Sequence, residues 1–223
     1  MHIPDGFFDG PTSLGAGAAS LVALSVCVSR ASAHRDEDSR FDPLTGMVAA
    51  FVFAAQMVNV PIAAGTSGHL LGGVLAAVLV GPWRGAIAVS VVVAVQALFG
   101  DGGLTAVGLN LVLIALLPTL VGFLVLATLR RMSGDRVPLP LASGLAAGLT
   151  VPLSALVFTG LYEVGGTADI ALVPLATAMV GIHLVIGVGE GVLTGLIVGA
   201  VLSSRPDLVF AAAEPAAVPA LAP

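Results

Sequence analysis

Long apolar stretches separated by short polar loops constrain the fold of this chain more than any other feature of its sequence. Only 9% of the residues are charged, whereas a soluble domain carries about 25%. A helix needs about 20 predominantly apolar residues to cross a bilayer. The sequence therefore predicts an all-α, multi-pass membrane protein.

Seven apolar segments are predicted to form transmembrane helices: 14–29, 43–60, 70–81, 83–100, 107–129, 138–161 and 173–202. The third segment is too short to span without help from the glycine-rich stretch before it, 61–69. That stretch is too polar for a lipid-facing helix. Non-helical backbone survives at membrane depth only where protein or a wet cavity surrounds it. We therefore expect a re-entrant-like loop after the second helix.

The positions of arginine predict the orientation of these helices. With seven helices and the N-terminus outside, every arginine falls on the cytoplasmic side: Arg30, Arg35, Arg40, Arg84, Arg130, Arg131, Arg136 and Arg205. Cytoplasmic loops of membrane proteins carry such an excess of positive charge. The sequence thus predicts an outside N-terminus and an inside C-terminus.

We expect one polytopic transmembrane domain over residues 1–207, opened by a polar lead at 1–13. The Ala- and Pro-rich tail, 208–223, is predicted to be a disordered cytoplasmic segment. No basic patch with interleaved aromatic residues indicates a nucleic-acid partner. The single cysteine, Cys27, excludes a disulfide framework and a CxxC metal site.

The opening residues, Met1-His2-Ile3-Pro4-Asp5-Gly6, have the chemistry of a metal chelate. Initiator methionine is retained before a residue as large as histidine, so the Met1 amine would adjoin His2. This amine, the His2 backbone nitrogen and a His2 ring nitrogen would close two fused chelate rings on one metal ion. Pro4 and the Asp5-Gly6 turn would hold the hook in place. A second-position histidine without function is the alternative.

A second histidine, His69, lies in the glycine-rich loop on the same predicted outer side of the membrane. Together with the hook it would bring four nitrogens to one ion. Four nitrogens in a plane suit Ni(II) or Cu(II), and Co(II) can be accommodated, whereas Zn(II) prefers a tetrahedron. The alternative for His69 is a structural hydrogen bond within the loop.

Further polar residues occur near these positions in apolar surroundings. They could orient the ligand rings from a second layer, or serve as interhelical hydrogen bonds: Gln56, Asn59, Ser67, Gln96, Asp101 and Asn110.

A carboxylate at the centre of the last predicted helix, Glu190, needs a partner, because its insertion costs about 2.5–3.5 kcal/mol. His183 lies two turns earlier on the same face and is the expected partner. The pair could form a proton or cation relay. The alternative is a neutral Glu190 that ties the helix to the bundle. A glycine at every fourth position nearby predicts a ridge for close helix packing: Gly187, Gly191, Gly195 and Gly199.

Four motifs in order resemble the CbiM/NikM family, the substrate-capturing membrane subunits of cobalt and nickel energy-coupling factor (ECF) transporters. They are the opening hexamer, 65–73 (GTSGHLLGG), 96–105 (QALFGDGGLT) and 189–195 (GEGVLTG). The resemblance covers residues 1–207.

The resemblance implies a seven-helix protein in a prokaryotic plasma membrane whose N-terminal segment inserts into the core from outside. It implies a metal, Co2+ or Ni2+, that is transported as substrate and held by Met1, His2 and His69. The implied partners are a transmembrane coupling subunit, cytoplasmic ATPase subunits and a small accessory membrane protein. The chain has no G-x-x-x-x-G-K-[ST] phosphate loop, so ATP would be hydrolysed by another chain.

Two other classes of protein are alternatives to a transport subunit. An intramembrane metalloenzyme built on His183 and Glu190 would have too few ligands and lacks an H-E-x-x-H pair. A passive channel would line its pore with repeated polar rings, and none occur. Within the family the residues favour neither metal decisively, and the overall resemblance favours cobalt.

Overall fold

The computed structural model describes residues 2–33, 41–62 and 66–213. A helix forms on each of the seven predicted apolar segments: α1 Gly10–Ala33, α2 Phe41–Gln56, α3 Gly73–Val80, α4 Pro82–Leu98, α5 Val107–Ser133, α6 Leu139–Gly165 and α7 Leu172–Ser204. Two short strands between α2 and α3, β1 Val60–Pro61 and β2 Ser67–Gly68, pair antiparallel. A short helix, α8 Phe210–Ala213, follows α7.

Four of the described helices are long and apolar enough to cross a membrane, namely α1, α5, α6 and α7, whereas α2 and α4 are shorter apolar helices. Helix α3 has only 8 residues, all buried, and a rise of 1.5 Å per residue makes it about 12 Å long. The third segment was predicted to begin at residue 70. The helix begins later because Gly72 adopts a left-handed conformation with φ 76°, which only glycine takes up at little cost. Residues 70–72, the first part of the predicted segment, are therefore not helical.

The predicted glycine ridge packs α7 against α6 at backbone contact distance. A Cβ atom on Gly191 would lie 2.8 Å from the carbonyl oxygen of Gly144. One on Gly187 would lie 2.7 Å from that of Gly148. Small residues permit this approach because nothing separates the two backbones. The ridge holds α7 beside the rest of the bundle at the level of Glu190.

The two ends of the bundle differ in charge. The described arginines lie at the end formed by the last turns of α1, α5 and α7 and the first turns of α4 and α6. There Arg84 lies 3.4 Å from Asp42. The N-terminal lead lies at the opposite end, beside the end of α4 and the connection between α6 and α7. Arg35 and Arg40 lie outside the described residues.

The chain after α7 is ordered further than its composition predicts. Val209 is fully buried, and the Phe210 ring lies 5.8 Å from that of Phe41 and 6.3 Å from that of Phe123. The Phe210 ring lies against Gly81 at the end of α3, so residues 208–213, part of the segment expected to be disordered, pack against the bundle in this structure. Residues 214–223 lie outside the described part of the chain.

Candidate metal centre

The backbone beside His2 is held in the core by a buried asparagine on α5. The amide of Ile3 donates to Oδ1 of Asn110 at 2.9 Å, and Nδ2 of Asn110 donates to the Ile3 carbonyl at 3.1 Å. The amide of Gly103 donates to the same carbonyl at 2.8 Å. Ile3 is fully buried and Asn110 is 1% exposed. The lead therefore enters the bundle as an inserted segment, as the resemblance implied.

The rest of the lead is fixed at two further places. Oδ1 of Asp5 accepts hydrogen bonds from the amide and the hydroxyl of Thr105, at 2.7 and 2.6 Å, and these bonds lower the pKa of Asp5. The rings of Phe7 and Phe8 pack on Phe158 and Tyr162, with centroids 5.5–6.2 Å apart. The sequence predicted only a turn at Asp5, because the position of its partner 100 residues away carries no local signal.

His2 is buried and turns one nitrogen toward a hydrogen-bond acceptor. Its Nε2 lies 3.1 Å from Oε1 of Gln96. An amide oxygen only accepts, so Nε2 carries the proton. Burial lowers the pKa of His2 to about 4, against opposing effects of Asp101 and Gln96, and the ring is therefore neutral at neutral pH. The lone pair is left on Nδ1, which has no hydrogen-bond partner and lies 3.3 Å from Oδ1 of Asp101.

His69 presents a second free lone pair beside the first. Its ring centroid lies 4.5 Å from that of His2, and its Nδ1 lies 2.7 Å from the carbonyl oxygen of Leu70. The carbonyl can only accept, so Nδ1 donates and Nε2 keeps the lone pair. Nε2 is buried and has no hydrogen-bond partner. A buried polar atom left unpaired costs about 1–3 kcal/mol, and a ligand that fills both lone pairs would remove this cost.

Four of the six expected polar residues form a chain of contacts that begins at the His2 ring. Besides Gln96 and Asp101, which contact His2, Nδ2 of Asn59 lies 3.3 Å from Oδ2 of Asp101. The Ser67 hydroxyl lies 3.3 Å from Oδ1 of Asn59. The structure thus connects all four of these residues to His2, directly or through Asp101.

The donor set consists of imidazole and main-chain groups. Across the described residues, no three His, Cys, Asp or Glu side chains converge on one point where a metal ion would fit. Met1 lies outside the described residues. The His2 backbone nitrogen and Nδ1 belong to one residue, so both can reach the same ion in a six-membered chelate ring.

Glu190 and His183 do not form the expected pair. Glu190 instead accepts hydrogen bonds from the backbone amides of Leu71 at 2.6 Å and Gly72 at 2.8 Å. Nδ1 of His183 lies 2.7 Å from the carbonyl oxygen of Met179, within its own helix. Backbone amides were available as partners because the loop descends along α7, and a helix-face pattern does not reveal such partners.

Comparison with known proteins shows that this chain is similar to metal transport proteins. A family model described as "Cobalt uptake substrate-specific transmembrane region" matches residues 2–208. A candidate metal transport protein of Haloquadratum walsbyi is 38% identical over 94% of each chain. A fused nickel transport protein of Rhodobacter capsulatus is 36% identical over 97% of this chain and 66% of its own. The crystal structure of a truncated transition metal transporter superimposes with a TM-score of 0.82 and 31% identity, over 91% of this chain and 99% of that one.

Proposed function

The chain belongs to the CbiM family of cobalt uptake substrate-specific transmembrane regions, and from this premise we propose that it captures Co2+ on the outer face of the membrane for ATP-driven import. Ni2+ uptake by the same site is the alternative. As a member of this family the chain is a multi-pass component of a metal transporter and not an enzyme. The observation that carries the proposal is a pair of buried nitrogens without a hydrogen-bond partner, Nδ1 of His2 and Nε2 of His69, on neighbouring rings.

The proposed ligands are the Met1 amine, the backbone and Nδ1 nitrogens of His2, and Nε2 of His69. Four nitrogens around one ion favour late transition metals over Mg2+ and Ca2+, which prefer oxygen ligands. The nearby carboxylate of Asp101 would offset the charge of the captured ion. Asn59 and Ser67 would hold Asp101 and the loop together at the mouth of the site.

The proposed orientation places this site outside the cell. The described arginines lie at the opposite end of the bundle, and positive charge accumulates on the cytoplasmic side of membrane proteins. An outer site receives the incoming ion before any energy is used. Attaching a membrane-impermeant label to a cysteine substituted at Asp169, which is exposed in the connection between α6 and α7, compared with one at exposed Arg205, would test this orientation in intact cells.

The proposed partners are a transmembrane coupling subunit, cytoplasmic ATPase subunits and a small accessory membrane protein. This chain has no phosphate-binding loop motif, so separate chains would hydrolyse ATP. The fused relative of Rhodobacter capsulatus is longer than this chain, which is consistent with a second component joined to it there.

We propose the small-residue face of α1 as the contact for the coupling subunit. Gly15 and Ala19 are exposed on α1, and nothing lies within 4 Å of a Cβ atom built on Gly15. Small residues let helices approach closely in a membrane. Gly15→Leu should abolish co-purification of the coupling subunit, whereas Gly189→Leu on α7, which is equally open, should not. An intact complex with Gly15→Leu would exclude this contact.

The test of the proposed function is metal binding to purified protein with its native start. Two residues added before Met1 would displace the amine while leaving His2 and His69 in place. The same two residues added after Pro223 provide the control. We expect tight binding of Co2+ and Ni2+ to be lost only in the first variant and in His69→Ala. Equal binding by all forms would refute the site. Because nitrogen sites generally bind Ni2+ more tightly than Co2+, uptake of each ion by cells, and not relative affinity, identifies the substrate.

A further inference from the structure

A single peptide group connects Glu190 to the ring of His69. The carbonyl of Leu70 and the amide of Leu71 belong to the same planar peptide unit. The carbonyl end accepts the Nδ1 proton of His69 at 2.7 Å. The amide end donates to Oε2 of Glu190 at 2.6 Å. The hydrogen bonds therefore run from the carboxylate through the peptide to the imidazole, and end at the unpartnered Nε2.

This peptide group is buried and held by α7. Glu190 is 3% exposed, His69 is 2% exposed and Leu71 is fully buried. The second carboxylate oxygen accepts from the next amide, that of Gly72, at 2.8 Å. With both oxygens engaged, the carboxylate cannot turn without breaking two hydrogen bonds. The plane of the Leu70–Leu71 peptide is consequently fixed relative to α7.

Metal-binding histidines commonly donate their other ring N–H to a carboxylate or a carbonyl, which fixes the tautomer and makes the ligating nitrogen more basic. Here the carbonyl is itself polarised by a carboxylate on the other end of the peptide. Hydrogen bonds in such a chain strengthen one another. Glu190 thus acts on the ligand without contacting it.

We propose that Glu190 is a positioning residue for the metal, and that it fixes the orientation and tautomer of His69 through the shared Leu70–Leu71 peptide. The inference rests on the proposed function, because it requires His69 to be a ligand. It also accounts for a carboxylate kept at the centre of α7, where a residue that only tied helices together would not need to be acidic.

The loop contains a matched control for this inference. Nε2 of Gln56 donates to the Leu71 carbonyl at 2.7 Å. That carbonyl belongs to the following peptide unit, whose amide, that of Gly72, holds the other oxygen of Glu190, and no described hydrogen bond joins this unit to the His69 ring. Gln56→Met removes one buried hydrogen bond to the same loop and leaves the connection between Glu190 and His69 intact.

The experiment measures Ni2+ affinity by competition with a chelator, and the absorption spectrum of bound Ni2+, in full-length protein with its native start. We expect Glu190→Gln to weaken binding by about 10- to 100-fold, the effect of removing an outer partner of a ligand. Its spectrum should shift toward that of His69→Ala. The double variant should bind no more weakly than His69→Ala, because the two changes act on one ligand. Gln56→Met should bind within a few-fold of the unsubstituted protein.

Other results would overturn the inference. Additive losses in the double variant, or equal losses from Glu190→Gln and Gln56→Met, would show a general effect on the loop. If His69→Ala weakens binding and Glu190→Gln does not, only this inference fails. If His69→Ala binds normally, the proposed function fails with it. Nitrogen chemical shifts of labelled histidine can be measured in the unsubstituted protein, so they do not depend on whether a variant folds. A proton on Nε2 of His69 instead of Nδ1 would refute the proposal.

Discussion

Replacing Asn110 with alanine should weaken metal binding by releasing the lead from the bundle. Asn110 holds both the amide and the carbonyl of Ile3, the residue that follows His2. It contacts neither proposed ligand ring through a hydrogen bond in the described structure. The change in metal affinity caused by Asn110→Ala would therefore show how far metal capture depends on docking of the lead.

The expected loss follows from the two hydrogen bonds. The lost bond to the Ile3 carbonyl costs about 0.5–1.5 kcal/mol, and the buried Ile3 amide, left without a partner, costs about 1–3 kcal/mol. The Ile3 carbonyl keeps its bond from Gly103. A total of about 1.5–4.5 kcal/mol corresponds to a loss of roughly 10- to 2,000-fold in affinity, at about 1.4 kcal/mol per factor of ten. This range is an upper bound, because affinity falls only as far as the docked population falls.

Two measurements on the same protein test this reasoning. Competition titration gives the Ni2+ affinity, and hydrogen exchange without metal gives the protection of the amides in residues 2–9. We expect both to fall in Asn110→Ala. Thr105→Val removes one exposed hydroxyl bond to Asp5 and should change affinity by less than about threefold, since such exposed bonds contribute little. Faster exchange with unchanged affinity would refute the claim that docking limits capture.

Further predictions concern packing and pH. Gly191→Ala should lower the stability of the protein in detergent by about 1 kcal/mol and by at most about 2.5 kcal/mol, because overpacking costs about 1–3 kcal/mol and the gain in helix propensity returns only about 0.5–1 kcal/mol. Gly189→Ala, with nothing within 4 Å of the added carbon, should be neutral or slightly stabilising. Equal melting temperatures of the two variants would contradict the close packing of the glycine ridge of α7 against α6. Docking of the lead without metal should be complete above pH 6.5 and should weaken as the pH falls toward 4, since the docked His2 has a pKa of about 4 and the released one protonates near 6.5. Amide exchange of the lead, corrected for its intrinsic pH dependence, measures this effect, and the same profile in His2→Asn would contradict it.

Much of the architecture follows from periodicity and composition. The seven apolar segments, the glycine ridge and the separation of arginine from the N-terminal lead all result from burial and charge placement, which act on residue types. The length of α3 does not, because the start of that helix depends on the conformation of Gly72. Phe210 carries no local signal of burial, and its contacts are with rings far away in sequence.

The sequence motifs indicated which side chains would lie near one another in the candidate site. His2, His69, Gln96 and Asp101 lie together as the motifs indicated. The partners of Glu190 were missed, because backbone amides are present at every position and leave no mark in the sequence. Asp5 and Thr105 illustrate the same limit over a separation of 100 residues, since only the folded chain brings them into contact.

The placement of the lead also dictates when the protein becomes competent during its synthesis. The first residues are made first, yet Ile3 is bonded to a residue 107 positions later and Gly6 to one 161 positions later. Contacts between such distant parts of a chain form late, because long loops must close before the contacts are gained. The nascent chain therefore carries an unattached N-terminus until α6 and the start of α7 have been inserted. A complete site would then require the inserted α7, because Glu190 on that helix holds the loop that carries His69.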